Sequence, residues 1–388
     1  MKHQQCNILI LTGSVGSGHV SVARAVSEAL HRINRGHFNV EIADLITVLS
    51  NLATKATKQL YLSSLKISPK IYELIFNQSN ESEWPLKILN MLSAPFMQQQ
   101  FYELLQSKKP TVLVATYPLW NTLIREVWEK YAAQVRKRLP FVNIVTDSIT
   151  FHNAWTIGHP DFFLVANEDT GTSFMNFGIP KRKIKVFGYP VSKKFSVHAP
   201  CADFQQKMDL SPKRKTLLLI LSTGVSWMKT RKLIKQIQSS RLKNLQLVIV
   251  ACGEKRWKKK LEAVDWPWPT RITGWTKEMH TFIHGSDIIL TKAGGATVME
   301  CIASQRPMAI IEAIPGQEIG NAMMVQKYNL GVVLNKDLSD FDKAIEYILD
   351  NDELIKENLA RQQKSNAADD TAKFLMGLAK KHQSFCPA

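Results

Sequence analysis

Short, unbroken apolar runs alternate along this chain with stretches whose apolar residues return every three or four positions. The run NILILT at residues 7–12 is strand-length, and after a glycine loop Val22, Ala23, Val26, Ala29, Leu30 and Ile33 recur at helical spacing. Further strands are predicted at 111–116, 141–147, 161–167 and 184–191, with helical spacing between them. From residue 216 the alternation restarts, with strands at 216–222, 245–252, 270–275, 287–291 and 308–314. Strands that are apolar along most of their length, separated by helices, fit parallel sheets covered on both faces. The pattern therefore predicts an α/β protein of two doubly wound, Rossmann-like parallel sheets facing a cleft. The first domain is expected over 1–190 and the second over 191–388, with a C-terminal helix able to cross back to the first. The segment GYPVSKKFSVHAPC, broken by Pro190 and Pro200, reads as the linker.

Residues 48–108 interrupt the first sheet with helical spacing of Leu, Ile, Tyr, Phe and Met, and Lys55, Lys58, Lys66, Lys70 and Lys87 are interspersed. Two readings stand: helices packed on the first domain, or a basic amphipathic surface that meets lipid.

Length agrees with two domains, since 388 residues exceed one ordinary core. Charge adds a partner. A formal net charge of +17 calls for an anionic surface, and its even spread over both halves favours a broad one over a nucleic-acid groove. No nucleic-acid-binding module accompanies the charge, so nucleic acid is not an expected partner. The tract EKRWKKKLEAVDWPWP sets Trp257, Trp266 and Trp268 among five basic residues; it is either a solvated helix face or a site of adsorption to anionic membrane lipids. No apolar run reaches the ~18 residues of a membrane span, and no signal-cleavage pattern follows the start. A cytoplasmic protein, peripheral at the inner face of the membrane, is expected. The five cysteines form no C-x-x-C pair and read as reduced thiols.

The loop LTGSVGSGHV resembles a nucleotide-phosphate loop but puts His19 and Val20 where that loop needs Lys and a hydroxyl, so it is not one. Its glycines also lack the spacing of a nicotinamide-binding fingerprint. In the second half, Gly294 and Gly295 follow a strand and Ala296 begins a helix, a natural seat for a diphosphate. Glu300, one turn on, has the chemistry to accept hydrogen bonds from two ribose hydroxyls. Gln317, Glu318 and Asn321 open the next helix after another strand, where side chains can read sugar hydroxyls or simply cap the loop. Asp340 and Asp342 read as helix capping, and nothing in the sequence requires a metal or other cofactor.

Taken in order, LTGSVGSGH.SVARA, TDS...H..W, GYPV, GW...M, TKAGGATVMECIASQRP and PGQEIGN resemble the monogalactosyldiacylglycerol synthase and processive diacylglycerol glucosyltransferase family. More distantly they resemble the lipid-linked N-acetylglucosaminyltransferase of peptidoglycan synthesis. The resemblance implies a GT-B fold and an inverting transferase that moves a hexose from UDP-galactose or UDP-glucose to diacylglycerol. An enzyme of this fold acting on another lipid, such as a peptidoglycan precursor, is the alternative; a UDP-sugar sensor without turnover is the non-enzymatic one. By motif, Gly294, Gly295 and Ala296 would hold diphosphate, Glu300 ribose, and Gln317, Glu318 and Asn321 the hexose. Trp275, in place of the usual Phe, and Met279 would lie beside the uracil. Gly224 stands alone where relatives carry a glycine-rich loop. Gly16 and Gly18 would line the acceptor side, with His19 as general base. Asp147 would orient His19, bind acceptor or cap a strand end, and His152 and Trp155 would lie near the lipid headgroup.

Overall fold

The computed structural model describes residues 6–14, 18–34, 38–48, 94–131, 139–197, 201–221, 225–252, 255–316 and 318–382. Gly16, Gln317, Gly224 and the lysines at 55, 58, 66, 70 and 87 lie outside these, so the expectations placed on them are outside the described residues. The chain divides into two compact units, Met1–Ser192 with Asn366–Ala388, and Lys193–Ser365.

The first unit is a six-stranded parallel sheet of order β2-β1-β3-β4-β5-β6. Its strands are β1 Cys6–Thr12, β2 Phe38–Asp44, β3 Val112–Ala115, β4 Phe141–Ile144, β5 Phe162–Val165 and β6 Ile184–Val186. Helix α1, Gly18–Ile33, buries Val22, Ala23, Val26, Ala29 and Leu30 as one stripe. Asn34 ends it, donating its side-chain amide to Phe38 O and accepting from Phe38 N at 2.8 Å, which turns the chain into β2. A one-turn helix α2, Leu45–Val48, follows, then α3, Ala94–Lys108, and α4, Trp120–Lys130. Helix α3 buries Phe101, Tyr102 and Leu105, and Tyr102 stacks on Tyr131 at 4.1 Å between centroids. Helix α5, Glu168–Asn176, is capped by the Asn167 side chain. The last helix of the chain, Ala367–Lys381, belongs to this unit: it buries Leu375 and Ala379, and its Asp369 pairs with Arg32 of α1.

The second unit is another six-stranded sheet, of order β12-β11-β10-β7-β8-β9, again wholly parallel. It comprises β7 Lys215–Leu221, β8 Leu245–Ala251, β9 Thr270–Thr273, β10 Ile288–Lys292, β11 Met308–Glu312 and β12 Gly331–Val333. Between them run α6 Cys201–Lys207 before β7, α7 Trp227–Gln238, α8 Lys255–Glu262, α9 Met279–His284, α10 Gly295–Ala303 and α11 Ile319–Lys327. Then come α12 Phe341–Asp350, α13 Asp352–Gln362 and, as α14, the helix already assigned to the first unit. Asp340 holds the N-cap position of α12 but makes no side-chain cap; its carboxylate accepts from Asn335 N, and Asp342 accepts from Arg241 N. Capping is therefore not the work of these two carboxylates.

In each sheet the strand order reverses at one place, between β1 and β3 and between β7 and β10. Loops leave such a point in opposite directions and open a crevice at the carboxyl ends of the strands.

Candidate active site

At the first switch point, β1 leads into α1, which presents His19, while β3 ends next to Thr116 and Tyr117. His19 is buried, 6% exposed. Its Nδ1 lies 2.7 Å from Thr116 O and 3.0 Å from Thr146 Oγ1. A carbonyl oxygen only accepts, so Nδ1 carries the proton and Nε2 the lone pair. Nε2 has no partner among the described residues. Burial lowers the imidazole pKa from its usual 6.5 to about 4, against the opposing pull of the Thr116 bond, so the ring is neutral across the physiological range.

The ring is also fixed laterally, with Tyr117 edge-on at 4.7 Å. Gly13 makes that possible: a Cβ there would stand 2.8 Å from Tyr117 Cδ1, closer than any packed side chain tolerates. Gly18 is different, since a Cβ there would meet only Tyr189 Oη at 3.7 Å.

Asp147 follows β4 but does not touch His19. Its Oδ2 accepts from Trp155 Nε1 at 2.8 Å and from His152 N at 3.3 Å. Burial raises its pKa to about 6 and these two bonds hold it back from rising further. The expectation that Asp147 orients His19 is corrected: Thr116 and Thr146 do so. His152 caps the short helix 153–155 through Nδ1, which accepts from Ala154 N at 3.0 Å. Trp155 is fully buried among Val145, Phe163, Val165 and Phe174. It has no surface to offer a lipid headgroup; its indole anchors Asp147 instead. Two amides that the sequence did not single out hold this turn, Asn121 to Ala154 O and Trp155 O, and Asn143 to Trp155 O, all within 2.8–3.0 Å.

At the second switch point α10 opens on Gly294, whose φ of −66° suits any residue and which makes no side-chain cap. A Cβ on Gly294 would meet Glu318 Oε1 and Lys292 Cε at 3.6 Å, an ordinary contact. The protein itself thus does not demand glycine here; the bare backbone leaves the first N–H groups of α10 open to an anion. Lys292, at the end of β10, is ion-paired with Glu318, both side chains nearly buried. Glu318 Oε2 also accepts from Ile314 N at 3.0 Å, so the carboxylate ties the loop after β11 to the glycine turn. Asn321 completes the tie through Ala293 O at 2.9 Å. Lys292 was not singled out in the sequence, although its place just before the two glycines was the available signal.

Glu300 lies on α10, half-buried, with no hydrogen-bond or ionic partner among the described residues. Burial raises its pKa to about 8. A carboxyl left without donors in such a place costs stability and suits a ligand that brings them. Trp275, beyond β9, is 66% exposed, and Met279 begins α9. Of the tryptophans in the basic tract, Trp268 is core, 6% exposed, with its indole N–H on Leu242 O, and Trp266 bonds Leu261 O. Neither indole N–H is available to lipid.

Comparison with known proteins gives a consistent picture. Residues 19–191 match the family described as monogalactosyldiacylglycerol (MGDG) synthase, and residues 228–376 the glycosyltransferase family 28 C-terminal domain. The processive diacylglycerol beta-glucosyltransferase of Staphylococcus haemolyticus is 29% identical over 341 residues, covering 86% of this chain and 83% of that protein. Among solved structures, S. aureus MnaA with UDP aligns at a TM-score of 0.64 with 12% identity, over 96% of this chain and 95% of the other. Anabaena HepE with UDP-glucose aligns at 0.56 with 13% identity, over 97% and 98%. At such identities the solved structures speak for the fold, which is GT-B. The chain therefore belongs to the glycosyltransferase family in which a monogalactosyldiacylglycerol synthase domain is followed by a family 28 C-terminal domain.

Proposed function

We propose that this protein is an inverting glycosyltransferase that moves a hexose from a UDP-sugar to the free hydroxyl of diacylglycerol, making a β-monoglycosyldiacylglycerol. The observation that carries the reading is the paired Nδ1 of His19, which leaves Nε2 as a neutral base inside a chain of this family. The acceptor oxygen attacks the anomeric carbon as its proton passes to Nε2, and the bond from that carbon to the UDP oxygen breaks on the opposite side. One such displacement inverts the anomeric centre.

In the donor unit, the N-terminus of α10 receives the diphosphate, beside Lys292. Glu300 takes ribose hydroxyls, Trp275 and Met279 flank the uracil, and Glu318, with Gln317 and Asn321, faces the hexose. Gly224 completes the donor set; Gly16, Gly18, His152 and Asp147 with its anchor Trp155 shape the acceptor side. The family description names a galactolipid and the staphylococcal relative a glucosyltransferase, so both UDP-galactose and UDP-glucose are in play. No helix among the described residues is long and apolar enough to cross a membrane. The protein works at the inner membrane face, held by anionic lipids.

The test is to incubate the purified protein with diacylglycerol vesicles and each UDP-sugar, and to read products by mass. A diacylglycerol mass increased by one hexose supports the reading. Product only on another lipid, such as a peptidoglycan precursor, transfers the fold's activity to that acceptor; no product on any lipid refutes it.

A further inference from the structure

Strands β7 and β8 are parallel and paired along their whole length, so the helices that follow them start side by side at one end of the second sheet. Trp227 opens α7 and Trp257 lies in the first turn of α8, and their rings meet at 5.5 Å between centroids. Lys260 Nζ stands 4.8 Å from the centre of the Trp227 ring. Met228, next in sequence to Trp227, is 71% exposed. Arg231 and Lys235 continue the Trp227 stripe of α7 one and two turns on; like Lys259 they are exposed, with no carboxylate partner among the described residues.

An exposed thioether beside a tilted indole pair, with Lys260 on one ring and Arg231 and Lys235 along the same stripe of α7, gains nothing in water. At a bilayer the same groups divide by kind: indoles and thioether enter the interface while the cations meet lipid phosphates. The rings lean on each other and Lys260 covers one of them, so neither offers an open platform for a nucleic-acid base. We propose that this α7–α8 face of the second unit is a docking site for an anionic lipid bilayer. The inference rests on the diacylglycerol reading above but adds a place: attachment is local to this face rather than a property of the net charge.

The experiment compares two variants of the full chain with equal changes of charge. Arg231→Glu with Lys260→Glu alters the face; Lys181→Glu with Arg182→Glu alters an exposed stretch of the first unit. Each is sedimented with vesicles of phosphatidylglycerol and phosphatidylcholine, and with phosphatidylcholine alone. Near an anionic surface each basic residue is worth roughly fivefold in partition, so the first variant should lose at least ~25-fold on anionic vesicles. The second should lose much less. Met228→Ser should weaken partition without altering its salt dependence, and hexose transfer to a short-chain diacylglycerol in detergent should be unchanged in all three. Equal losses in the two charge variants, or no loss in the first, overturn the proposal, the latter leaving the face to a protein partner. A wild-type chain that docks through this face but transfers no hexose would refute the enzymatic reading and leave the docking site standing.

Discussion

Nδ1 of His19 lies 2.7 Å from the carbonyl oxygen of Thr116, and that pairing decides which nitrogen is free to take a proton. Because the carbonyl cannot donate, the lone pair is on Nε2 in every neutral state of the ring. Burial then keeps the ring neutral, and it also limits its strength as a base. The proposed general-base role thus depends on the substrates bringing compensating charge when they bind.

His19→Ala should lower transfer by about 10²- to 10⁴-fold with little change in UDP affinity, since the proposed donor site is in the second unit. Near-normal turnover would remove His19 from the mechanism. The ring is buried and hydrogen-bonded, so some loss of melting temperature is expected too, and His19→Asn, whose amide nitrogen stands where Nδ1 does and can keep the Thr116 bond, separates the two effects. Activity should not fall with a midpoint near 6.5, the ordinary imidazole value, because the free protein's His19 titrates near 4. A limb near pH 6 would belong to Asp147, and Asp147→Asn would abolish it.

Glu300 sets function against stability. Its folded pKa of about 8 is above the usual 4.5, so between these values the folded state holds a proton that the unfolded chain has released. Stability therefore falls as pH rises from about 4.5 to 8 and then levels. Glu300→Gln should melt higher than wild type at pH 8 and equally at pH 4, as read by thermal denaturation. Glu300→Ala should weaken UDP binding on the order of tenfold to a hundredfold by calorimetry. Unchanged affinity would reject the ribose assignment.

Gly13→Ala tests the support of the His19 ring, the proposed base. The new methyl group would stand 2.8 Å from Tyr117, which is packed edge-on to His19. Overpacking of this kind costs about 1–3 kcal/mol, and the displaced Tyr117 should carry His19 with it. Loss of kcat exceeding what the fall in melting temperature explains is the expected result; Gly18→Ala, with room to spare, should do much less to stability.

The Lys292 and Glu318 pair is nearly buried, so removing one partner strands the other. Lys292→Met should destabilise by about 3–5 kcal/mol in chemical denaturation. Adding Glu318→Gln should recover much of that loss while leaving UDP binding weak. Failure of the double variant to recover stability would mean that the carboxylate's bond to Ile314 N, rather than the ion pair, is what matters.

The sequence by itself determined the layering. A strand buried on both faces is apolar at nearly every position, so β1, β7, β8, β10 and β11 stand out in one dimension, and with them the two parallel sheets. Motifs short enough to lie in one loop, such as the glycines before α10, were legible for the same reason. The edges were not. Strand β2 buries only Phe38 and Ala43 and β12 has three residues, and neither differs enough from its surroundings to be seen. The tertiary structure alone decided which partners meet. Thr116 acts through a backbone carbonyl, a group every residue carries, so no spacing could have marked it as the group that orients His19. Trp155 and Asp147 lie eight residues apart, yet only packing of Trp155 against Phe163 and Phe174 shows that the indole is an anchor and not a lipid contact. Trp227 and Trp257 meet because β7 and β8 are paired in parallel, a relation of strand order that the linear sequence leaves open.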